Sequence, residues 1–392
     1  MTVEQPDTSP HPASGDGAVS RARTAQGAWA QTALPTRLGV LRRFRHRLAE
    51  SPDELLDAIG AHCGRKTADS LVMEIIPIAD ACRFLEREAA ALLGPRRLNR
   101  RGRPTWLLGV DIEIERLPLG VILVLAPGNY PLFLPGVQIL QALAAGNAVL
   151  AKPAPGCAAP LRALEQRLTD AGLPADLFQV LDEGIDAGRA AIADGVDKVT
   201  LTGSAATGRA VLAALADTLT PATVELSGND PVFVLPGANL DLAAGALAYG
   251  LTLNGGATCI APRRVYATAD IAETLRESLA ERLQHRPATP VYGGRTDRAL
   301  ALLDDVQSRG GRISGAPPDP GDSMMTPLIL SDAPADSAIF REDIFAPILA
   351  IVGVEDMDEA LRLNGRCPFV LGASIFGPES AARAFAGKLN AG

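Results

Sequence analysis

A cysteine that follows a glycine-rich segment is the strongest candidate for covalent chemistry in this chain. Cys259 comes directly after Asn254-Gly255-Gly256-Ala257-Thr258. The backbone amides of such a turn can approach the sulfur and stabilise a thiolate, which is the nucleophilic form of cysteine. A buried structural cysteine is the alternative, because cysteine is among the most buried residue types. Taken singly, the segment leaves both roles open.

Two further polar residues follow or close predicted strands. Glu225 ends an apolar strand, where a carboxylate is either solvated or acts as a general base. Asn129 comes after the apolar run Val121–Leu125, and ligands of open α/β sheets bind at the carboxyl ends of strands. The amide of Asn129 therefore either donates a hydrogen bond to a developing oxyanion or forms a turn.

A turn that contains Gly203, Ser204 and Gly208 joins a predicted strand to a predicted helix. Such a junction offers backbone amides and the positive end of a helix dipole to a phosphate group. The segment does not match the pattern GxGxxG, so a tight strand–helix turn without a ligand is the alternative.

The elements that must position these residues alternate between strand and helix. Residues 22–93 have helical periodicity, and residues 65–93 are predicted to form one long helix with a kink near Pro77. Residues 101–115 are predicted to form a hairpin. From Val121 the order is βαβαβαβ, and a second alternation starts after Glu225. This order predicts an α/β protein with two doubly wound domains. The predicted parts are a disordered tail (1–20), a first domain (21–224) with a protruding β-hairpin (about 100–118) and a second domain (225–392).

Composition and charge exclude several classes of function. The net charge of −8 argues against a nucleic-acid surface. The scattered cysteines lack a CxxC pair and the histidines lack ligand-like spacing, so neither a disulfide framework nor a metal site is expected. No segment approaches the roughly 18–20 apolar residues that cross a bilayer, and the N-terminus lacks the apolar core of a signal peptide. We therefore expect a cytoplasmic protein without nucleic-acid or membrane partners.

Six motifs follow one another along nearly the whole chain. They are Pro127–Pro131, Leu150–Pro153, Leu201–Gly208, Glu225–Gly228, Asn254–Cys259 and Glu342–Pro347. Together, and in this order, they resemble the motifs of the aldehyde dehydrogenase superfamily. Tyr130 and the segment Ile344–Leu349 are similar to its short, class 3-like branch.

The resemblance implies an NAD(P)-dependent enzyme that oxidises an aldehyde to a carboxylic acid through a cysteine thioester. In that enzyme Cys259 is the nucleophile, Asn129 donates to the oxyanion, and Glu225 activates the water that hydrolyses the thioester. Residues 21–224 then bind the cofactor, NAD or NADP, and residues 225–392 form the catalytic domain. The residues that contact the cofactor by the same resemblance are Lys152, Gly203, Ser204, Gly208, Leu226, Asp343 and Phe345.

Some positions depart from the family pattern. Pro155 stands where relatives often carry a glutamate that binds the adenosine ribose. Because a carboxylate there repels a 2′-phosphate, we expect NADP to be used at least as well as NAD. Ser227 and Asn229 change the motif that contains Glu225, and Asp343 is shorter than the usual glutamate.

The sequence ends at Gly392, before the segment with which relatives pair to a second subunit. The resemblance therefore implies a C-terminally truncated catalytic domain and a weakened homodimer.

Two other functions stay open at the level of sequence. One is an aldehyde dehydrogenase in which coenzyme A releases the acyl group, although Glu225 argues against it because that branch generally lacks this base. The other is a non-catalytic structural or binding protein with the same fold, for which Pro155, Ser227 and the early C-terminus leave room. Mixing protein, cofactor and aldehyde with and without coenzyme A separates the three functions by the NAD(P)H formed.

Overall fold

The chain divides into two compact units, Met1–Glu225 and Leu226–Gly392. The computed structural model describes residues 17–98, 104–107, 109–291, 295–369 and 371–391, without the side chains of residues 62 and 63. Each unit combines helices with a largely parallel sheet, which confirms the predicted α/β class.

The elements of the first unit follow the strand–helix alternation of its sequence. Its helices are α1 (Ala18–Ala30), α2 (Leu34–Glu50), α3 (Asp53–Cys63), α4 (Thr67–Ser70), α5 (Ile76–Leu93), α6 (Phe133–Ala144), α7 (Ala158–Asp170), α8 (Ile185–Ala193) and α9 (Ala205–Leu215). Its strands are β1 (Arg96–Arg97), β2 (Glu113–Ile114), β3 (Val121–Leu125), β4 (Ala148–Lys152), β5 (Phe178–Val180), β6 (Lys198–Gly203) and β7 (Ala222–Leu226).

The main sheet of the first unit has the strand order β5-β4-β3-β6-β7. Strand β3 pairs in parallel with both β4 and β6, so the winding of the chain reverses between β3 and β6. All of β3 and most of β4 are buried, as their apolar sequences predict for central parallel strands. In a doubly wound sheet, the carboxyl ends of strands at such a switch point are where ligands bind.

The predicted disordered tail is wrong for its last residues. Helix α1 begins at Ala18, and both Ala18 and Val19 are buried. The indole N–H of Trp29, in the same helix, donates a buried hydrogen bond to the carbonyl of Leu143 at 2.9 Å. Tertiary packing therefore orders a segment whose composition alone indicates a tail. Residues 1–16 of that prediction lie outside the described residues.

The helical region before β1 contains a π-helical segment that its periodicity did not predict. Residues 65–93 were expected to form one long helix with a kink near Pro77. In the structure Leu71–Ile75 is π-helical and joins α4 to α5. Pro77 lies in the first turn of α5, where a missing N–H is tolerated. A π-helical turn inside a helix often marks a functional site.

The strand pair at the protruding hairpin begins before the predicted bounds. Arg96–Arg97 pairs antiparallel with Glu113–Ile114, and Thr105–Leu107 forms a 3₁₀ turn rather than a strand. Trp106, in the middle of that turn, is exposed rather than packed against a sheet. Residues 99–103 and 108 of the predicted hairpin lie outside the described residues.

The second unit has its own sheet, in the order β11-β13-β14-β9-β8-β15. Strand β11 is antiparallel to β13, and the other pairs are parallel. The helices are α10 (Leu240–Thr252), α11 (Ala269–Leu283), α12 (Arg295–Ser308), α13 (Met357–Asn364) and α14 (Glu379–Ala386). The strands are β8 (Asp230–Val234), β9 (Pro262–Thr268), β10 (Thr289–Pro290), β11 (Arg312–Ser314), β12 (Met324–Met325), β13 (Leu328–Ser331), β14 (Ile348–Val354) and β15 (Ser374–Phe376).

The core of the second unit lies on both faces of its sheet. Leu247 and Leu251 of α10 pack with Leu275 and Leu279 of α11 in one buried cluster, to which β14 adds Leu349. A second cluster joins α12 to β13 and β14. No helix among the described residues is long and apolar enough to span a membrane.

Candidate functional site

Asn129 lies in the loop between β3 and α6, at the carboxyl edge of the first unit's sheet. This loop directly follows Leu125, the last residue of buried strand β3. Tyr130, the next residue after Asn129, is 9% exposed and packs edge-on against the ring of Phe133. The structure thus places Asn129 at the switch point of the sheet, on a loop anchored by its neighbours.

A buried ion pair holds this loop in place. Arg65, just before α4, donates from Nη2 to Glu74 at 2.8 Å and to the backbone carbonyl of Asn129 at 2.8 Å. Its guanidinium also lies 5.5 Å from the ring centre of Tyr130. The other oxygen of Glu74 accepts from the N–H groups of Leu132 and Phe133. The pair therefore fixes both ends of the segment that carries Asn129.

The π-helical segment explains how Glu74 reaches this position. Glu74 is within Leu71–Ile75 and its side chain is completely buried. Burial raises the pKa of Glu74, and the charge of Arg65 and the N–H groups of Phe133 and Leu132 oppose that rise. A buried carboxylate is costly unless paired and hydrogen-bonded, and both conditions are met here.

Lys152 ends β4 beside a carboxylate that belongs to another loop. The oxygens of Glu183 accept from the backbone N–H groups of Gly156 and Ala158, at 2.7 and 2.6 Å. Burial lowers the pKa of Lys152, and the charges of Glu183 and Asp182 oppose that shift. The first turn of α7, which Pro155 precedes, therefore carries a negative charge supplied by Glu183.

The turn after β6 has the geometry of a helix start. Ser204 is the N-cap of α9, and its hydroxyl accepts from the N–H of Thr207 at 3.2 Å. Gly208 is buried in the first turns of that helix. Gln138 of α6 donates to the hydroxyl of Thr202, just before Gly203. The positive end of the α9 dipole thus lies at the same carboxyl edge as Asn129.

Cys259 follows a buried turn with left-handed backbone. Asn254, Gly255 and Gly256 have φ of 52°, 61° and 75°. The side-chain amide of Asn254 donates to the carbonyl of Ala257 at 3.2 Å, which closes the turn. All five residues from 254 to 258 are buried, whereas Cys259 is partly exposed. A rigid buried turn therefore presents the thiol to a more open environment.

The turn before Cys259 packs directly on a second turn. A methyl group at Gly256 would lie 2.7 Å from the carbonyl carbon and oxygen of Ala346 and from the nitrogen of Pro347. Phe345, which precedes them, has a φ of 40°. Only glycine at position 256 allows this approach of two backbones.

Leu226 ends β7, and the residues after it lead to the same region of the second unit. A methyl group at Gly228 would lie 2.7 Å from the carbonyl oxygen of Cys259. Asn229 is completely buried and donates to the carbonyls of Ile339 and Glu342. Asn229, a departure from the family motif, therefore supports the segment that contains Asp343. Glu225 is exposed near the end of β7.

Asp343 and Phe345 lie in the segment that leads into β14. Both are partly exposed, and the guanidinium of Arg295 lies 4.7 Å from the ring centre of Phe345. Glu342 forms an ion pair with Arg298, which like Arg295 belongs to α12. The start of α12 therefore borders this segment with two cationic side chains.

The structure gathers the predicted residues at two sheet edges, one in each unit. Asn129, Lys152, Gly203 and Ser204 follow or close strands at the carboxyl edge of the first sheet. Cys259, Gly228 and Phe345 precede β9, β8 and β14, at the amino edge of the second sheet. The rule that ligands bind at carboxyl ends predicts the first group and does not predict the second.

Sequence reasoning missed the charged and polar residues that support these groups. They are Arg65, Glu74, Glu183, Asn229, Arg263 and Arg264. One signal was present: two consecutive arginines, Arg263 and Arg264, interrupt an otherwise apolar strand, where an unpaired charge is strongly disfavoured.

Comparison with known proteins finds relatives over nearly the whole chain. Residues 10–392 match the model of the aldehyde dehydrogenase family. A Mycolicibacterium smegmatis protein named "Putative succinate-semialdehyde dehydrogenase (NADP(+))" is 30% identical over 391 residues, covering 96% of this chain and 74% of its own. "Aldehyde dehydrogenase LUC3" of a Fusarium species is 30% identical over 390 residues, covering 96% and 81%.

Solved structures share the fold. The NADP-dependent glyceraldehyde-3-phosphate dehydrogenase of Bacillus halodurans C-125, complexed with NADP, matches with a TM-score of 0.88 at 26% identity, covering 96% of this chain and 80% of its own. A Mycobacterium tuberculosis aldehyde dehydrogenase complexed with NAD+ matches with a TM-score of 0.89 over the same shares. At 23% identity, this second likeness is one of fold alone.

The buried ion pair between Arg65 and Glu74 predicts that a single substitution strongly lowers the free energy of unfolding. Glu74→Gln removes the charge that Arg65 faces and one acceptor of the loop's N–H groups. Removing one partner of a buried pair costs about 3–5 kcal/mol of unfolding free energy. Denaturant unfolding measures it, with Asp176→Asn as the control, because the pair Asp176–Arg21 is about half exposed and contributes under ~1 kcal/mol. Equal losses of unfolding free energy in both variants would contradict the stabilising role of the Arg65–Glu74 pair.

Proposed function

The chain belongs to the aldehyde dehydrogenase family, and from this we propose that it oxidises an aldehyde to a carboxylic acid with NAD(P)+ through a thioester on Cys259. The observation that carries the proposal is the position of Cys259 at the rim of a rigid, buried glycine turn. Amides of such a turn favour the thiolate over the thiol. The alternative of a structural cysteine fits poorly, because this side chain is only partly buried.

In the proposed reaction the thiolate of Cys259 attacks the aldehyde carbon. The side-chain amide of Asn129 donates to the oxyanion that forms, and removal of one such donor typically costs about 3–4 kcal/mol of barrier. The Arg65–Glu74 pair supports this role, because it fixes the loop of Asn129 before substrate binds. The donor is thus preorganised for a charge that develops only during the reaction.

The ammonium group and the backbone N–H groups at the sheet edge of the first unit fit a bound dinucleotide. Lys152 offers an ammonium group at the end of β4, and Gly203, Ser204 and Gly208 surround the positive end of α9. In the second unit Leu226, Asp343 and Phe345 are the proposed contacts. Bound NAD(P)+ would supply the acceptor for the hydride that leaves the former aldehyde carbon. The NADP complex of the similar Bacillus halodurans enzyme supports this assignment.

Glu225 is the proposed base for the second half of the reaction. It takes a proton from water, which hydrolyses the thioester and releases the acid. Its exposure near the end of β7 leaves the carboxylate accessible to water. A base of this kind also disfavours a coenzyme A-acylating enzyme, in which a second thiol would replace water.

Loss of the thiol tests the proposal directly. Cys259→Ala should lower NAD(P)H formation from an aldehyde about 1,000-fold or more, as expected for a lost nucleophile. NAD(P)H formation is measured with a panel of aldehydes that includes succinate semialdehyde, which the name of one relative specifies. Cys367→Ala, which removes a buried cysteine of the same unit, is the matched control and should keep turnover. Turnover of Cys259→Ala within about tenfold of the parent protein would assign the nucleophile elsewhere.

The position of Glu183 predicts that its substitution changes the preference between NAD and NADP. Pro155 brings no charge to the proposed ribose region, but the carboxylate of Glu183 lies on the same turn and would repel a 2′-phosphate. Glu183→Gln should therefore raise the ratio of kcat/KM for NADP over that for NAD roughly fivefold to tenfold, because one charge at such a site contributes on the order of 1 kcal/mol. Asp170→Asn is the control, since the carboxylate of Asp170 lies at the opposite end of α7 and accepts from the side chain of Gln166. An unchanged ratio of kcat/KM for NADP over NAD in Glu183→Gln would show that this carboxylate does not influence cofactor preference.

A further inference from the structure

Arg263 is a fully buried cation to which the proposed reaction gives no role. It lies at the start of β9, four residues after Cys259, and is 1% exposed. Arginine is almost never fully buried unless it is paired, because desolvation of its charge is expensive. Such a residue therefore requires a structural or electrostatic explanation.

The guanidinium of Arg263 bridges the two turns that pack on each other. Nη2 donates to the carbonyl of Gly256, and Nη1 donates to the carbonyl of Ala346 at 2.5 Å. Gly256 belongs to the turn that presents Cys259, and Ala346 follows Phe345. One planar group thus joins the backbone of the nucleophile turn to that of the proposed cofactor segment.

Four charged or titratable side chains of the second unit influence the pKa of Arg263. Burial lowers its pKa to about 10, the charges of Asp230, Asp343 and Cys259 oppose that shift, and Arg295 adds to it. Burial raises the pKa of the Asp230 carboxyl to about 6, and the N–H of Gly372 and the charges of Arg264 and Arg263 oppose that rise, so Asp230 shares its charge between two arginines. Cys259 therefore lies within the electrostatic field of a buried positive charge.

The neighbouring arginine shows that burial alone does not create this arrangement. Arg264 is equally buried, yet it donates to the carbonyl and side chain of Asn229 and to the hydroxyl of Tyr266. It makes no hydrogen bond with the turn before Cys259 among the bonds of the described residues. Arg263 and Arg264 are thus a matched pair with the same burial and different partners.

We propose that Arg263 is a positioning residue for the nucleophile, whose buried charge stabilises the thiolate of Cys259 while its two carbonyl bonds hold the glycine turn against Ala346. The inference rests on the proposed role of Cys259. A positive charge favours the ionised thiol, so its removal moves the titration of the thiol to higher pH and leaves less thiolate at neutral pH.

The test measures how fast iodoacetamide alkylates Cys259 as a function of pH, by mass spectrometry of the peptide that contains this residue. In Arg263→Gln, which keeps an N–H donor without the charge, the midpoint should rise by about one pH unit and the rate at about pH 7 should fall about tenfold. Rates of variant and parent should converge at pH well above both midpoints. Arg264→Gln, the matched control, should keep the parent midpoint.

A second variant separates charge from structure. Arg263→Lys retains a cation but cannot present the same planar fork, so its midpoint should stay within about half a pH unit of the parent. Arg263→Lys also tests the role of the positive charge if Arg263→Gln fails to fold. A midpoint about one pH unit higher in Arg263→Lys, or an unchanged midpoint in a folded Arg263→Gln, would overturn the proposal. Since alkylation requires no turnover, such a result leaves the role of Cys259 to be judged by Cys259→Ala alone.

Discussion

The backbone of Gly256 lies against the backbone of Ala346 and Pro347 so closely that even a methyl group would meet three of their atoms at 2.7 Å. The left-handed φ of residues 254–256 makes this approach sterically possible, and the φ of 40° at Phe345 turns the second segment toward it. The buried guanidinium of Arg263 then satisfies a carbonyl on each side. Each turn fixes the other, and the position of Cys259 depends on both.

The two sheet edges carry different kinds of chemical groups. At the carboxyl edge of the first sheet, strand ends and the start of α9 supply N–H groups, a lysine and an amide, which suit anionic groups. At the amino edge of the second sheet, strained turns and buried arginines hold a thiol in one place. Buried charged groups support the turns at both edges, where a flexible loop would lose the geometry that the chemistry needs.

Much of the fold follows from the sequence, because its periodicity is strong. The apolar run Val121–Leu125 is a buried strand as predicted, and the predicted order βαβαβαβ is that of β3, α6, β4, α7, β5, α8 and β6. The failures have physical causes. Trp106 and its neighbours predicted a strand, but Thr105–Leu107 forms a 3₁₀ turn in which Trp106 is exposed, because β propensity depends on packing against neighbouring residues. The order of α1 depends on the burial of Trp29 and on its bond to Leu143, which is far away in the sequence.

The candidate site is predicted less completely than the fold. Motifs identify Cys259, Asn129 and Lys152, because each stands beside a recognisable turn or strand end. The partners Glu74, Glu183 and Arg263 act across distances that no local pattern encodes. Glu74 in particular depends on a π-helical turn, which ordinary helical periodicity does not predict.

The central claim is that Cys259 carries the acyl group and that water activated by Glu225 releases it. The most direct measurement is the intact mass of Glu225→Gln, acid-quenched within seconds of mixing with NAD(P)+ and an aldehyde that the parent protein oxidises. The account predicts a mass increase equal to one acyl group, located on the peptide of Cys259, together with a burst of NAD(P)H followed by slow turnover. An unmodified Cys259 during such a burst, or an acyl group on another residue, would contradict it.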